Sequence, residues 1–298
     1  MGPSQDRGGP DFIRDPFMIP AGNRTKILAF LCVTPFLLVV FMFEVAPLLA
    51  VTTNSLFASD VISASNYTEI LSSRFYLGAF KVSYLISAAT ALVGLVVALP
   101  ICVLLKRMPG RVQQLISICA NIGANFTGFP LAFAFVILLG ISGSFTLLFA
   151  RMGILQGFNI YGTTGLVIVY SYFQILFAIL LLLPGLGALT TEIREAAFLM
   201  GASTWSFWRR IGLPILAPSL ISAYLLLFAN AMGTYATAWA LVGGSANVVT
   251  IRIGELTAGD VFSDPNLADA LAMLLVISLI IPILADQFLL KPRQHHDA

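Results

Sequence analysis

Six long stretches poor in charge divide this chain of 298 residues, at about 27–51, 82–105, 115–139, 160–183, 215–242 and 267–290. Each holds roughly the 18–20 predominantly apolar residues that carry a helix across about 30 Å of hydrocarbon. Lipid offers no partner for an exposed N–H or C=O, so such a segment must close its own hydrogen bonds as a helix. A membrane barrel would show alternating segments of about ten residues instead, and none is evident here. Composition agrees: apolar residues make up 58% and charged residues 10%, against about 45–50% and 25% in soluble domains. The predicted fold is all-α, a polytopic membrane protein with about six transmembrane helices over residues 27–290. Polar tails flank it at 1–26 and 291–298. The first run is too long for the apolar core of a cleaved signal peptide, about 7–15 residues, so it is read as an uncleaved first span.

Charge sets the orientation. With the N-terminus inside, the inner loops and tails hold Arg7, Arg14, Arg24, Lys26, Lys106, Arg107, Arg111, Arg194, Arg209, Arg210, Lys291 and Arg293. The outer loops hold Arg74, Lys81, Arg151 and Arg252. This bias places both termini in the cytoplasm. The outer side is richer in acid, with Asp60, Glu69, Glu255, Asp260, Asp264 and Asp269. Residues 142–158 carry one charge, Arg151, among Leu147, Leu148, Phe149, Ile154 and Leu155, and are expected to form a short interfacial helix. A net charge of +2 gives no footprint for nucleic acid.

Catalytic signatures are missing. There is no Gly-x4-Gly-Lys-Ser/Thr phosphate loop and no His-Glu-x-x-His. The histidines are His295 and His296, in the C-terminal tail. Cys32, Cys102 and Cys119 sit in apolar runs without metal or redox spacing, so they are read as packing residues. No metal site and no bound cofactor are expected.

The polar stretch at about 184–214 is different in kind. It reads Glu195-Ala196-Ala197-x3-Gly201-x9-Ile211-x-Leu213-Pro214. Thr191 and Glu195 form a near-capping box, one residue off the ideal spacing. Ala196, Ala197, Leu199 and Met200 favour helix, and Gly201 weakens it by about 1 kcal/mol relative to alanine. A second short helix is expected at about 203–211, with Pro214 marking the start of span five. Trp205 and Trp208, with Arg209 and Arg210, suit an interfacial belt, and also a protein interface.

The chain resembles the permease subunits of binding-protein-dependent type I ABC importers, and the spacing from Glu195 to Pro214 carries that resemblance. It implies the type I importer permease fold in a bacterial cytoplasmic (inner) membrane. It also implies that this loop docks on cytoplasmic ATP-binding subunits, which would hold ATP and Mg and do the hydrolysis. Glu195 would make the polar contact, Ala196 and Ala197 would permit close approach, and Gly201 would form the bend. Ile211, Leu213 and Pro214 complete the motif. The other implied partners are a second permease subunit, the same chain or a similar one, and an extracytoplasmic solute-binding protein. The segments from Gly128 and from Gly233 look nearer to permeases for polyamines, phosphonates or ferric iron than to those for sugars.

Polar residues inside the spans are candidates for the solute path: Asn121, Asn125, Asn230 and Tyr235. In span three, Gly123, Gly128 and Pro130 weaken the helix, as happens where a segment lines a cavity or packs inside protein. The alternative is a secondary transporter or channel driven by an ion gradient, with Glu44 or Asp286 as its coupling carboxylate. A third reading, a membrane scaffold that transports nothing, leaves the broken third span without a purpose.

Overall fold

The computed structural model describes residues 23–58, 61–153, 158–258 and 263–289. Nearly all of both tails, with Lys291, Arg293, His295 and His296, lies outside that set, as do Asp60, Ile154, Leu155 and Asp260. So do the side chains of Cys32 and Asp286.

Two compact units divide at Ala50. In the first, α1 (Asn23–Val40) runs through a π-turn at Phe41–Val45 into α2 (Ala46–Asn54), whose last four residues are counted with the second unit. Helix thus begins a few residues before the expected boundary at 27. Pro47 accounts for the π-turn. It has no N–H to donate, and its ring would strike the carbonyl of Phe43 in a regular helix, so the turn widens there. Glu44 lies in this π-turn.

The second unit opens with a small ladder of β1 (Phe57–Ala58) and β2 (Val61–Ile62), with Phe57 opposite Ile62. Helix α3 (Ser65–Ser72) secures it. Asn66 donates to the carbonyls of Ser55 at 3.2 Å and Phe57 at 2.9 Å. There follow α4 (Arg74–Leu105), α5 (Gly110–Asn125), α6 (Phe129–Leu139), α7 (Ser144–Arg151) and α8 (Thr163–Gly185). Beyond them come α9 (Thr191–Leu199), α10 (Thr204–Phe207), α11 (Leu213–Met232), α12 (Ala236–Val242), α13 (Val249–Ala258) and α14 (Pro265–Leu289).

Among the described residues, six helical segments are long and apolar enough to cross a membrane. Four fall close to the expected positions, and two expectations need correction. Span three is not one helix over 115–139. It breaks after Asn125, and the apolar stretch shifts to Phe129–Arg151. Gly128, at φ +76°, is the reason: a left-handed residue ends one helix, and Pro130 starts the next with its fixed φ. Span five likewise does not continue to 242. Helix α11 ends at Met232, and residues 233–235 separate it from α12. A short helix does form within 142–158, α7, but it continues the apolar stretch that begins at Phe129 rather than standing apart from span three.

Helix α8 is the hub, with α4, α5, α6, α11 and α12 all packed against it. Leu166, Val169, Phe173 and Gln174 of α8 are fully or almost fully buried. Apolar burial drives little association between helices in lipid, so close approach matters more. Gly94 of α4 provides it: a Cβ there would stand 3.1 Å from the carbonyl oxygen of Gln174.

Candidate functional site

The stretch at 184–214 folds as a helical reversal. Thr190 caps α9, its hydroxyl accepting from the Ile193 N–H at 3.5 Å. The cap is therefore Thr190, not the expected Thr191, whose hydroxyl instead donates to Glu192 at 3.5 Å. The end of α9 is a Schellman motif. The Ala202 N–H donates to the Ala197 carbonyl, and the Gly201 N–H to that of Phe198, each at 3.0 Å. Gly201 has φ +81°, which the motif requires and which side chains other than glycine adopt at a cost. Ser203 then caps α10, accepting from the Ser206 N–H at 3.2 Å.

The second helix is not the separate segment expected at 203–211. It passes through a π-turn at Trp208–Gly212 straight into α11, so Thr204–Met232 is one helical run. Pro214 explains this turn as Pro47 explains the first, since its ring faces the carbonyl of Arg210. Ile211 and Gly212 lie inside the π-turn, and Leu213 and Pro214 begin α11.

The candidate docking residues divide by exposure. Glu195, Ala196 and Gly201 face outward, whereas Ala197 is buried within the chain. Beside Glu195 the loop presents Leu199 at 89% exposure, Met200 at 78% and Trp205 at 73%. In the sequence Leu199 and Met200 register only as helix formers, though their place beside the turn glycine marks them for the outer face. Underneath, Phe207 is buried against Phe198 at 5.9 Å and Trp208 at 5.8 Å. The Arg194 guanidinium lies over the Phe198 ring at 5.4 Å. Glu192 is fully exposed, and hydrogen bonds from Thr190, from its own backbone and from Thr191 hold its carboxyl below the usual range.

The two helix breaks meet. The Gly128 N–H donates to the Thr237 hydroxyl at 2.9 Å, and a Cβ on Gly128 would stand 3.7 Å from that of Ala236. At the second break, the Thr234 carbonyl accepts from the Tyr170 hydroxyl at 2.9 Å and from the Thr250 hydroxyl at 3.3 Å. Side chains thus replace the backbone partners that a continuous helix would supply. Gln174, fully buried on α8, donates to the Leu227 carbonyl at 2.6 Å, while its Oε1 has no hydrogen-bond partner.

The predicted path residues lie on either side of these breaks. Asn125 donates to the Asn121 side chain at 2.8 Å and to its carbonyl at 2.9 Å. The Asn230 carbonyl accepts from the Thr234 hydroxyl at 2.7 Å. Tyr235 stacks on Trp239 with ring centres 6.1 Å apart. All four are exposed on the single chain. Thr237, Tyr170, Thr250 and Gln174 carry no local pattern in the sequence that marks them for these contacts.

The chain is 24% identical over 264 residues to the putative ferric transport system permease protein FbpB 1 of Haemophilus influenzae, covering 88% of this chain and 41% of that one. It is 27% identical over 186 residues to the thiamine transport system permease protein ThiP of Salmonella typhimurium, covering 62% and 34%. The chain therefore spans less than half the length of either relative. In fold it resembles a bacterial ABC transporter involved in the import of the acidic polysaccharide alginate. That match has a TM-score of 0.69 at 15% identity, over 89% of this chain and 96% of that one. The MetNI methionine ABC transporter in an inward-facing conformation matches with a TM-score of 0.54 at 19% identity, over 72% and 93%. Residues 90–296 match the family described as binding-protein-dependent transport system inner membrane component, and this multi-pass membrane chain belongs to that family.

Proposed function

We propose that the chain forms the solute path of an ATP-driven importer and couples it to ATP-binding subunits through the loop between α8 and α11. The observation that carries this reading is the Schellman-turned helix pair, which holds Leu199, Met200 and Trp205 in the open beside Glu195 and Ala196. Exposed apolar side chains at a rigid reversal, with an acid and a small residue beside them, suit a groove on another protein. ATP and Mg belong to that partner, and hydrolysis takes place there. Closure of the ATP-binding subunits moves α9 and α10. Because α10 is continuous with α11, the motion passes directly into span five and to the break at 233–235. A second permease copy or a similar chain completes the path, and an extracytoplasmic binding protein delivers the solute. Both termini face the cytoplasm. The solute is a small polar compound; the ferric and thiamine names of the relatives and the branch-like segments at Gly128 and Gly233 support that class.

The test is Glu195→Arg and Leu199→Asp in the assembled transporter. Membrane insertion should be normal, the ATP-binding subunit should co-purify poorly, and uptake should fall. Wild-type uptake by both variants would refute the docking assignment.

A further inference from the structure

A cavity of about 530 Å³ opens between the α4–α5 turn and the start of α9. Its polar rim holds Lys106, Arg107 and Arg194, facing a single acid, Glu192, while Leu186 and Trp208 form part of its apolar wall. The charges do not cancel by pairing. Among the described residues the ion pair is Arg252 with Glu255, far along the chain in α13. Glu192 is engaged by the threonine hydroxyls of its own helix start. Lys106 donates to the Leu186 carbonyl, which ties the α4 end to the 3₁₀ turn after α8 and fixes one wall of the cavity. Arg194 is steadied by the Phe198 ring.

We infer that this cavity binds a phosphate group, carried either by an anionic lipid headgroup or by a free phosphate. Guanidinium forks match phosphate oxygens in pairs, and a lysine adds a point charge. The volume lies within the ordinary range of small-molecule sites, about 300–1,000 Å³. The cavity sits at the end of the spanning helix α4, and basic pockets at the ends of spanning helices take anionic lipid headgroups. Its apolar wall suits the first part of an acyl chain. A bound phosphate would bridge the α4–α5 turn to α9 and stiffen the base of the coupling loop. The inference rests on the proposed orientation only for the leaflet that supplies the lipid.

The experiment uses the purified full-length permease alone, so its outcome is separate from whether the loop docks on an ATP-binding subunit. Phosphatidylglycerol binding is read by native mass spectrometry, and inorganic phosphate is added both as competitor and as ligand in thermal unfolding. The variant is Arg107→Gln with Arg194→Gln. The control is Arg209→Gln with Arg210→Gln, which removes the same charge from exposed positions outside the cavity. Phosphatidylglycerol should bind wild type and control alike, and the cavity variant about tenfold or more weakly. Lipid retention that inorganic phosphate does not displace identifies the headgroup as the source. Displacement by inorganic phosphate, together with stabilisation by it in wild type and control but not in the cavity variant, identifies the free anion. Equal lipid binding and equal phosphate response in wild type, control and cavity variant would overturn the inference.

Discussion

The Thr237 hydroxyl holds both polar groups of Gly128: it accepts from the N–H at 2.9 Å and donates to the carbonyl at 3.4 Å. Thr237 is fully buried at the start of α12, just past the second helix break, and Gly128 is the residue that makes the first. One side chain thus ties together two interruptions that lie more than a hundred positions apart. Thr237→Val keeps the shape and removes the hydroxyl. It should lower stability by about 1–3 kcal/mol, the cost of leaving a buried donor unpaired. Thr237→Ser should restore most of it. The measurement is the thermal unfolding midpoint in detergent, and an unchanged midpoint for Thr237→Val would mean that packing alone joins the breaks.

Tyr170 and Thr250 share one acceptor, the Thr234 carbonyl. Loss of either hydroxyl leaves the other in place, so Tyr170→Phe and Thr250→Val should each cost about 0.5–1.5 kcal/mol. Together they orphan the carbonyl, and the double variant should lose more than the sum. Strict additivity in unfolding measurements would show that the two contacts act independently.

These contacts mark the limit of what the sequence shows. The spans are legible because length and apolar content alone decide a membrane helix. The break at Gly128 is legible because glycine and proline act locally. The break at 233–235 carries no proline, and it persists because Tyr170 and Thr250, from α8 and α13, satisfy a carbonyl there. No local pattern announces a partner 64 residues away. The choice of Thr190 over Thr191 as cap was similarly open, since either threonine could start the helix and the approach of the preceding chain decides between them. The motif from Glu195 to Pro214 was legible as a loop with an outer face. The burial of Ala197 and the exposure of Leu199 and Met200 needed the fold.

Gly201 separates strain from size. No atom lies within 4 Å of a Cβ built there, but its φ is +81°. Gly201→Ala and Gly201→Trp should therefore destabilise the turn alike, by about 1–2 kcal/mol, and Gly201→Asn less. Hydrogen exchange at the Ala202 amide reads this directly. If the outer face docks, Gly201→Trp should abolish uptake while Gly201→Ala only reduces it. Equal uptake by the two would assign the position to backbone geometry rather than to contact.

The proposed cytoplasmic placement of the loop is open to a labelling test. Ser203 is an N-cap, so a cysteine there would cost about 1 kcal/mol of helix stability. Ala196 is exposed and caps nothing. In a background without Cys32, Cys102 and Cys119, Ala196→Cys should react with a membrane-impermeant thiol reagent in inside-out vesicles and stay unlabelled in spheroplasts. The reverse pattern would invert the topology.

Asn121 and Asn125 occupy one face of α5 and satisfy each other, with the Asn125 amide donating at 2.8 Å to the Asn121 oxygen. An asparagine in hydrocarbon costs free energy unless it is paired. Mutual pairing lowers that cost but leaves further donors and acceptors open on both side chains. A purely lipid-facing helix would gain more from leucine at both positions, and the pair is consistent with the proposed solute path. Asn125→Leu should cut uptake by about tenfold, equivalent to about 1.4 kcal/mol of lost interaction with the solute, while thermal stability holds or rises. Ile122→Leu, at the strongly exposed residue between them, should be silent. Uptake that survives Asn125→Leu at wild-type level would place these asparagines against lipid or a second subunit, and would move the path to Asn230 and Tyr235 beside the second break.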